Sequence, residues 1–189
     1  MYGNNAENDS YIKGRALEAR ARCENSPEAW LNFAALKAEK GSYALAVMGF
    51  LNAGILFESA KDTASAAGAY QNGFSVCVKA AFKEPAVMIV SRLAGIAERG
   101  SDFSAAASAY EKLGAFLESQ GAFFLAADAY EHAAEMFFSG GKDISEYHKP
   151  ADLWTRNAEY WSKSGNPSDE VWSRRRAEIY LEMLQRTKK

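Results

Sequence analysis

Ala105-Ala106-Ala107-Ser108-Ala109-Tyr110-Glu111 is followed, twenty residues on, by Leu125-Ala126-Ala127-Asp128-Ala129-Tyr130-Glu131. A second echo, Gly54-Ile55-Leu56-Phe57-Glu58-Ser59, returns sixty residues later as Gly114-Ala115-Phe116-Leu117-Glu118-Ser119. Both spacings are multiples of one unit, and laying the chain out in blocks of twenty brings further columns into line. An aromatic-rich column reads Trp30, Phe50, Tyr70, Val90, Tyr110, Tyr130. Four residues before it stand Ser26, Ala46, Ala66, Ala86, Ala106 and Ala126; four after it come Ala34, Gly54, Phe74, Ala94, Gly114 and Ala134. Three further along are Lys37, Phe57, Cys77, Ala97, Leu117 and Phe137, of which only Lys37 is off pattern. Several columns agreeing in one register leave coincidence a poor account, and self-similarity at a fixed period marks a repeat architecture.

The columns stand at i, i+4, i+8 and i+11, which traces one face of an α-helix. Abundant alanine and only four prolines, Pro27, Pro85, Pro150 and Pro167, favour the same element. Each block predicts a helix of roughly 15 residues and a short turn. Short turns force successive helices antiparallel, so two blocks make a hairpin. Small residues flanking the ring let helices approach while the ring fills the groove between them. Ser26-Pro27 and Asn166-Pro167 read as N-caps followed by proline at the first helical position, and Thr63 and Asp102 as caps. Gly41, Gly100, Gly121, Gly141 and Gly165 follow helical stretches, where a left-handed residue ends a helix. The expectation is nine helices, near 9–24, 27–40, 43–60, 63–81, 85–99, 102–120, 122–139, 150–164 and 167–187, in an all-α solenoid of antiparallel hairpins.

The organisation expected is one helical-repeat domain over 1–189: a flexible terminus at 1–8, repeats over 9–140, a connection at 141–149 and capping helices over 150–189. The last section is rich in tryptophan. Trp154, Ala158 and Trp161 share one face, as do Trp172, Ile179 and Met183. Terminal repeats are atypical because one side has no neighbour, so this section reads as a cap.

Composition narrows the function classes. A net charge of −2 and a pI near 5.8 argue against a binder that tracks nucleic-acid phosphates. Cys23 and Cys77 have no ligand-like or redox spacing and read as small apolar side chains of a reducing compartment, a disulfide between them having no support. No apolar run of about 18 residues could cross a bilayer, and the polar start lacks a secretory pattern; a cytoplasmic protein, with membrane contact at most peripheral, is the expectation. The chain carries no GxxxxGK[ST], HExxH, GxSxG or strand-associated GxGxxG. Its two histidines offer little: His132 lies among repeat residues, and His148 shares a loop with Asp143 and Glu146 in no known metal spacing. The sequence therefore predicts no enzyme, no cofactor and no metal.

Three features remain as binding candidates. Phe123-Phe124 opens one helix and Phe137-Phe138 ends it; adjacent rings cannot both enter one core stripe, so one of each pair is either exposed or packed on the next hairpin. Arg174-Arg175-Arg176 makes the final helix basic, but consecutive side chains point to different sides, and Asp169, Glu170, Glu178 and Glu182 stand close enough to neutralise them. The tyrosine column itself reads as core.

The string Ala106-Ala107-Ser108-Ala109-Tyr110-Glu111-Lys112-Leu113-Gly114-Ala115-Phe116 and its continuation Ala126-Ala127-Asp128-Ala129-Tyr130-Glu131-His132-Ala133-Ala134-Glu135-Met136-Phe137 resemble the tetratricopeptide-like superfamily. Within it they are most similar to the soluble attachment proteins of membrane fusion (the SNAP family), over about residues 26–140. The resemblance implies a right-handed solenoid that holds helical or coiled-coil protein partners. Phe137-Phe138-Ser139-Gly140 followed by Ala151-Asp152-Leu153-Trp154 is similar to that family's membrane-touching loop and next helix, here late in the chain. The resulting expectation is a non-catalytic scaffold or adaptor, SNAP-like in vesicle fusion or trafficking, with a structural subunit of a large assembly and a membrane-attached adaptor as alternatives.

Overall fold

The computed structural model describes residues 5–187, which form nine α-helices and no strand. They are α1 (Asn5–Glu24), α2 (Pro27–Glu39), α3 (Tyr43–Ser59), α4 (Thr63–Ala80), α5 (Lys83–Arg99), α6 (Phe103–Ser119), α7 (Phe123–Ser139), α8 (Lys149–Lys163) and α9 (Pro167–Thr187). The all-α helical-repeat reading holds, with every expected helix present. Of the terminus expected to be flexible, residues 1–4 lie outside the described residues; α1 begins at Asn5, ahead of the expected position 9. Lys188 and Lys189, which add to the basic character of the sequence's end, also lie outside them. Helix α5 starts before Pro85, which is tolerated because first-turn amides have no intrahelical acceptor. By contact the chain divides into two compact units, Met1–Leu93 and Ala94–Lys189, with the boundary inside α5.

The period of twenty belongs to the backbone as much as to the side chains. In the first unit the helices close on left-handed residues at Gly41, Lys61 and Ala81. The amide after each reaches back five residues: Ser42 to Lys37 at 2.8 Å, Asp62 to Phe57 at 2.9 Å, and Phe82 to Cys77 at 2.9 Å. This is the Schellman closure, which satisfies carbonyls that a helix end otherwise strands. In the second unit Ser101, Gly121, Gly141 and Gly165 take the left-handed place. There Asp102 reaches Ala97 at 2.8 Å, Ala122 reaches Leu117 at 3.0 Å, and Lys142 reaches Phe137 at 2.9 Å.

The residue after the turn then opens the next helix. Its carbonyl accepts from the alanine column, as in Ser42 from Ala46 at 3.0 Å and Asp102 from Ala106 at 3.1 Å. Two expectations need correction here. Gly100 is not the left-handed residue, because the phase of the repeat places that conformation at Ser101 despite glycine's freedom. Thr63 is not a cap; Asp62 is, its carboxylate accepting from the Ser65 amide at 3.0 Å. Asp102 and Ser26 do cap, accepting from the amides of Ala105 and Ala29.

The aromatic column is interior. Trp30, Phe50, Tyr70 and Val90 are buried in the first unit and Tyr130 in the second, with Tyr110 half-buried. Two of its rings, Tyr70 and Tyr130, lie on glycines of the small-residue column of the preceding helix. The Tyr70 ring lies directly over Gly54, where an added Cβ would overlap three ring carbons. In the second unit Tyr130 covers Gly114 in the same way, a Cβ there falling 2.7 Å from Cδ2 and Cε2. The hexapeptide echo in the sequence thus encodes one contact made once in each unit.

The glutamate four residues past each glycine completes the joint. Glu58 accepts from the Tyr70 hydroxyl at 2.6 Å and from Arg92 at 3.2 Å. Glu118 accepts from Lys149 at 2.8 Å and Arg156 at 2.7 Å. The hydrogen bond from Lys149, with Arg156 assisting, holds the Glu118 carboxyl below its ordinary value despite some desolvation.

The connection between α7 and α8 is partly interior rather than wholly solvated. Ile144 is 5% exposed and packs with Ala134, Ala151, Tyr180 and Leu184, against which Phe137 and Tyr147 also lie. No sequence period announces Ile144, because it belongs to no helix.

Gly114→Ala is expected to destabilise the fold by about 1–3 kcal/mol, since overpacking outweighs alanine's better helix propensity. Gly68→Ala, whose Cβ would meet nothing within 4 Å, is expected to stabilise by about 0.5–1 kcal/mol. Urea denaturation of the two variants checks the pair. Glu118→Gln is expected to be less stable than wild type at neutral pH. A lowered folded-state pKa stabilises above the unfolded value and is lost as pH falls, so the gap should close below pH of about 4. Denaturation midpoints at neutral and acidic pH measure it.

Candidate functional site

All seven residues singled out in the sequence lie in the second unit, and the structure separates them into different roles. Arg174 pairs with Glu170 on its own helix at 2.9 Å. Arg175 reaches Glu178 at 3.0 Å and Glu182 at 3.7 Å. Both are surface pairs of the expected kind, and exposed pairs contribute little stability. Arg176 is not neutralised by its own helix: it turns inward to Glu131 on α7 and lies over the Trp154 ring, 5.5 Å from its centroid.

The phenylalanine pairs also split. Phe123 is half-buried beneath the Arg156 guanidinium, 4.5 Å from the ring centroid. Phe137 is half-buried, with the Tyr147 ring 5.9 Å away and Lys142 over its outer face at 4.4 Å. Phe138 is 60% exposed, and Phe124, 44% exposed, stands in a built environment. Its ring meets buried Trp154 edge-on at 5.3 Å and stacks on Trp172 of α9 at 5.7 Å, with an interplanar angle of 24°. Trp154 and Trp172 meet edge-on at 5.2 Å, closing a three-ring cluster. Phe124 and Arg176 therefore come together around Trp154, whereas Phe137 packs into the separate interior set about Ile144.

Glu131 anchors this arrangement. It accepts from the Trp154 indole N–H at 2.6 Å and from Arg176. Desolvation raises its carboxyl above the ordinary value, against the opposing hydrogen bond from Trp154 and the charge of Arg176; Asp128 and Glu135 add to the rise. Burial also pushes up the Tyr180 hydroxyl, with Glu131 and Glu135 contributing. Nothing in the linear order of residues marks Glu131, because its role depends on a tryptophan 23 positions away and an arginine 45 positions away.

Helix α9 presents its second stripe outward. Its buried line is Ser173, Ala177, Tyr180 and Leu184, and Asn157 of α8 donates to the Ser173 hydroxyl at 2.9 Å. The face shared by Trp172, Ile179 and Met183 is left 46%, 44% and 38% exposed. On α7, His132 lies 3.8 Å from Asp128 and 3.3 Å from Glu135, stacked on Tyr110 of α6 at 5.1 Å.

A different feature stands in the first unit: an open cleft of about 370 Å³ lined by Ala44, Val47, Ala81, Phe82, Glu84 and Pro85. Cys23 is exposed and Cys77 buried, both as free thiols, and burial raises Cys77 to about 11, so it is no activated nucleophile. Among the described residues no group of three or more His, Cys, Asp or Glu is placed to hold a metal, and no helix is long and apolar enough to cross a membrane.

Glu131→Ala is expected to cost about 1–3 kcal/mol, because it leaves the buried Trp154 N–H without an acceptor. Glu131→Gln, which keeps an oxygen there, is expected to cost less. Urea denaturation monitored by tryptophan fluorescence distinguishes them.

No protein-family model matches the chain, and no curated protein does. Among solved structures it is similar to that of BtubC (BKLC) from P. vanneervenii, at 14% identity, over 97% of this chain and 93% of that one, with a TM-score of 0.32.

Proposed function

We propose that this chain is a non-catalytic protein-binding scaffold, an adaptor that presents a fixed helical surface to a partner protein. The observation that carries the reading is the outward face of α9 and its junction with α7. Phe124, Trp172, Ile179 and Met183 are all substantially exposed, while Trp154, Glu131 and Arg176 hold two of them from beneath. Isolated apolar side chains on a surface are ordinary, but grouped aromatic and aliphatic ones on a rigid support are what protein interfaces use. The narrower form of the proposal is a SNAP-like adaptor in vesicle fusion or trafficking, acting from the cytoplasm on helical partners; its support is the repeat strings around Tyr110 and Tyr130.

A structural-subunit role draws on the same surface, since Val171, Trp172, Ile179, Leu181 and Met183 all remain exposed on one helix. Light scattering and co-purification from the native source separate the readings. An adaptor is expected to be a soluble monomer that recovers a discrete partner and loses it on Ile179→Ser/Met183→Ser substitution. A chain that is insoluble alone would instead support the assembly role, and a soluble chain with no partner would defeat the proposal. Membrane attachment rests on Phe138, and liposome flotation of wild type against Phe138→Ser tests it. Phe137 is left intact because it is half-buried against the cluster around Ile144; equal flotation removes that contact.

A further inference from the structure

The α7–α9 surface has a charge asymmetry that narrows what could occupy it, and this step rests on the scaffold reading. Phe124 and Glu131 of α7 meet Trp172 and Arg176 of α9 in the same order, so the two helices run in the same direction. Helical spacing places Asp128 and Glu135 on the outer side of the Phe124–Glu131 line of α7. It places Ile179 and Met183 on the outer side of the Trp172–Arg176 line of α9. The result is an outward surface with aromatic rings at its centre, aliphatic side chains along the α9 side and carboxylates along the α7 side. On the α7 side Glu131 pairs with Arg176, while the carboxylates of Asp128 and Glu135 are half exposed or more and lie on either side of His132. Arg174 and Arg175 are occupied by Glu170, Glu178 and Glu182 and do not offset them.

We infer that this surface docks a basic amphipathic helix of a partner protein, its apolar stripe on Phe124, Trp172, Ile179 and Met183 and its Lys/Arg edge along Asp128 and Glu135. The dimensions agree. Trp172 to Met183 spans about 16 Å at 1.5 Å per residue, three turns of the occupant. Apolar anchors supply the affinity, and the acidic side sets orientation and rejects helices with an acidic edge. A second copy of this chain is a poorer occupant, because the same acidic side would approach α9 edges that already balance Arg175 against Glu178 and Glu182.

The test uses the full chain and three labelled synthetic peptides of about five turns: a Leu/Lys amphipathic helix, its Leu/Glu counterpart, and a Leu/Lys scramble without an apolar face. Fluorescence anisotropy is the readout. The Leu/Lys helix is expected to bind, to weaken with added salt, and to lose about tenfold or more in affinity with Asp128→Lys/Glu135→Lys and with Ile179→Ser/Met183→Ser. These four side chains are exposed, and circular dichroism confirms that each variant is folded. Equal binding of the Leu/Glu helix or of the scramble, absence of Leu/Lys binding, or binding indifferent to both variants would overturn the inference. So would a dimer that forms in wild type and is abolished by Ile179→Ser/Met183→Ser, which makes a second copy the occupant. A partner recovered from the native source and insensitive to Asp128→Lys/Glu135→Lys would leave the scaffold reading standing and remove this one.

Discussion

A tyrosine ring pressed on a glycine of the preceding helix is the contact on which the repeat depends. At Gly54 and Gly114 no side chain fits between the helix backbone and the ring, so two helices approach more closely than any larger pair would allow. Close packing of this kind tolerates little change in volume. It also fixes register, since the ring must meet the one position along the preceding helix that lacks a Cβ. The turn chemistry works toward the same end. A Schellman closure of constant length returns the chain at the same phase each time, delivering the aromatic column to the small-residue column of its neighbour. Where the phase and a residue's own preference conflict, the phase wins: Lys61, Ala81 and Ser101 accept a left-handed φ that glycine would take more easily.

Helix α9 departs from the pattern of the repeat. Helix α9 has two apolar stripes and buries one of them. The line chosen combines small Ser173 and Ala177 with Tyr180 and Leu184, which lets α8 come near; the wider line of Trp172, Ile179 and Met183 is left on the outside. Helix α7 contributes Phe124 to that outer surface and holds Trp154 through Glu131. The outward face of α9 is apolar, and the aromatic cluster beneath it is fastened by a partly desolvated Glu131–Arg176 pair. Such pairs add little net stability, but removing one member leaves the other stranded, so the arrangement fixes geometry more than it adds free energy.

Much of this was legible in the linear order of residues, and the physical reason is local. A helix face repeats at a fixed spacing, a helix end needs a left-handed residue or a cap, and short turns force antiparallel neighbours; none of these needs knowledge of distant contacts. Nine helices, the interior aromatic column and the caps at Ser26 and Asp102 follow from that. The divergent directions of Arg174 and Arg175 follow too, since 100° per residue separates any two neighbours on a helix.

What tertiary structure alone decided is every choice between two locally equivalent options. Phe123 and Phe124 are indistinguishable in the sequence, as are Phe137 and Phe138; a guanidinium from α8, a tryptophan from α9 and the buried loop residue Ile144 determine which ring is covered. The same holds for Arg176, turned inward because Glu131 and Trp154 stand opposite it, and for the outward stripe of α9. A period tells which residues share a face, but which face meets a neighbour depends on helices tens of positions away. The candidate surface is therefore made by folding, from residues that the sequence marked only as members of a pattern.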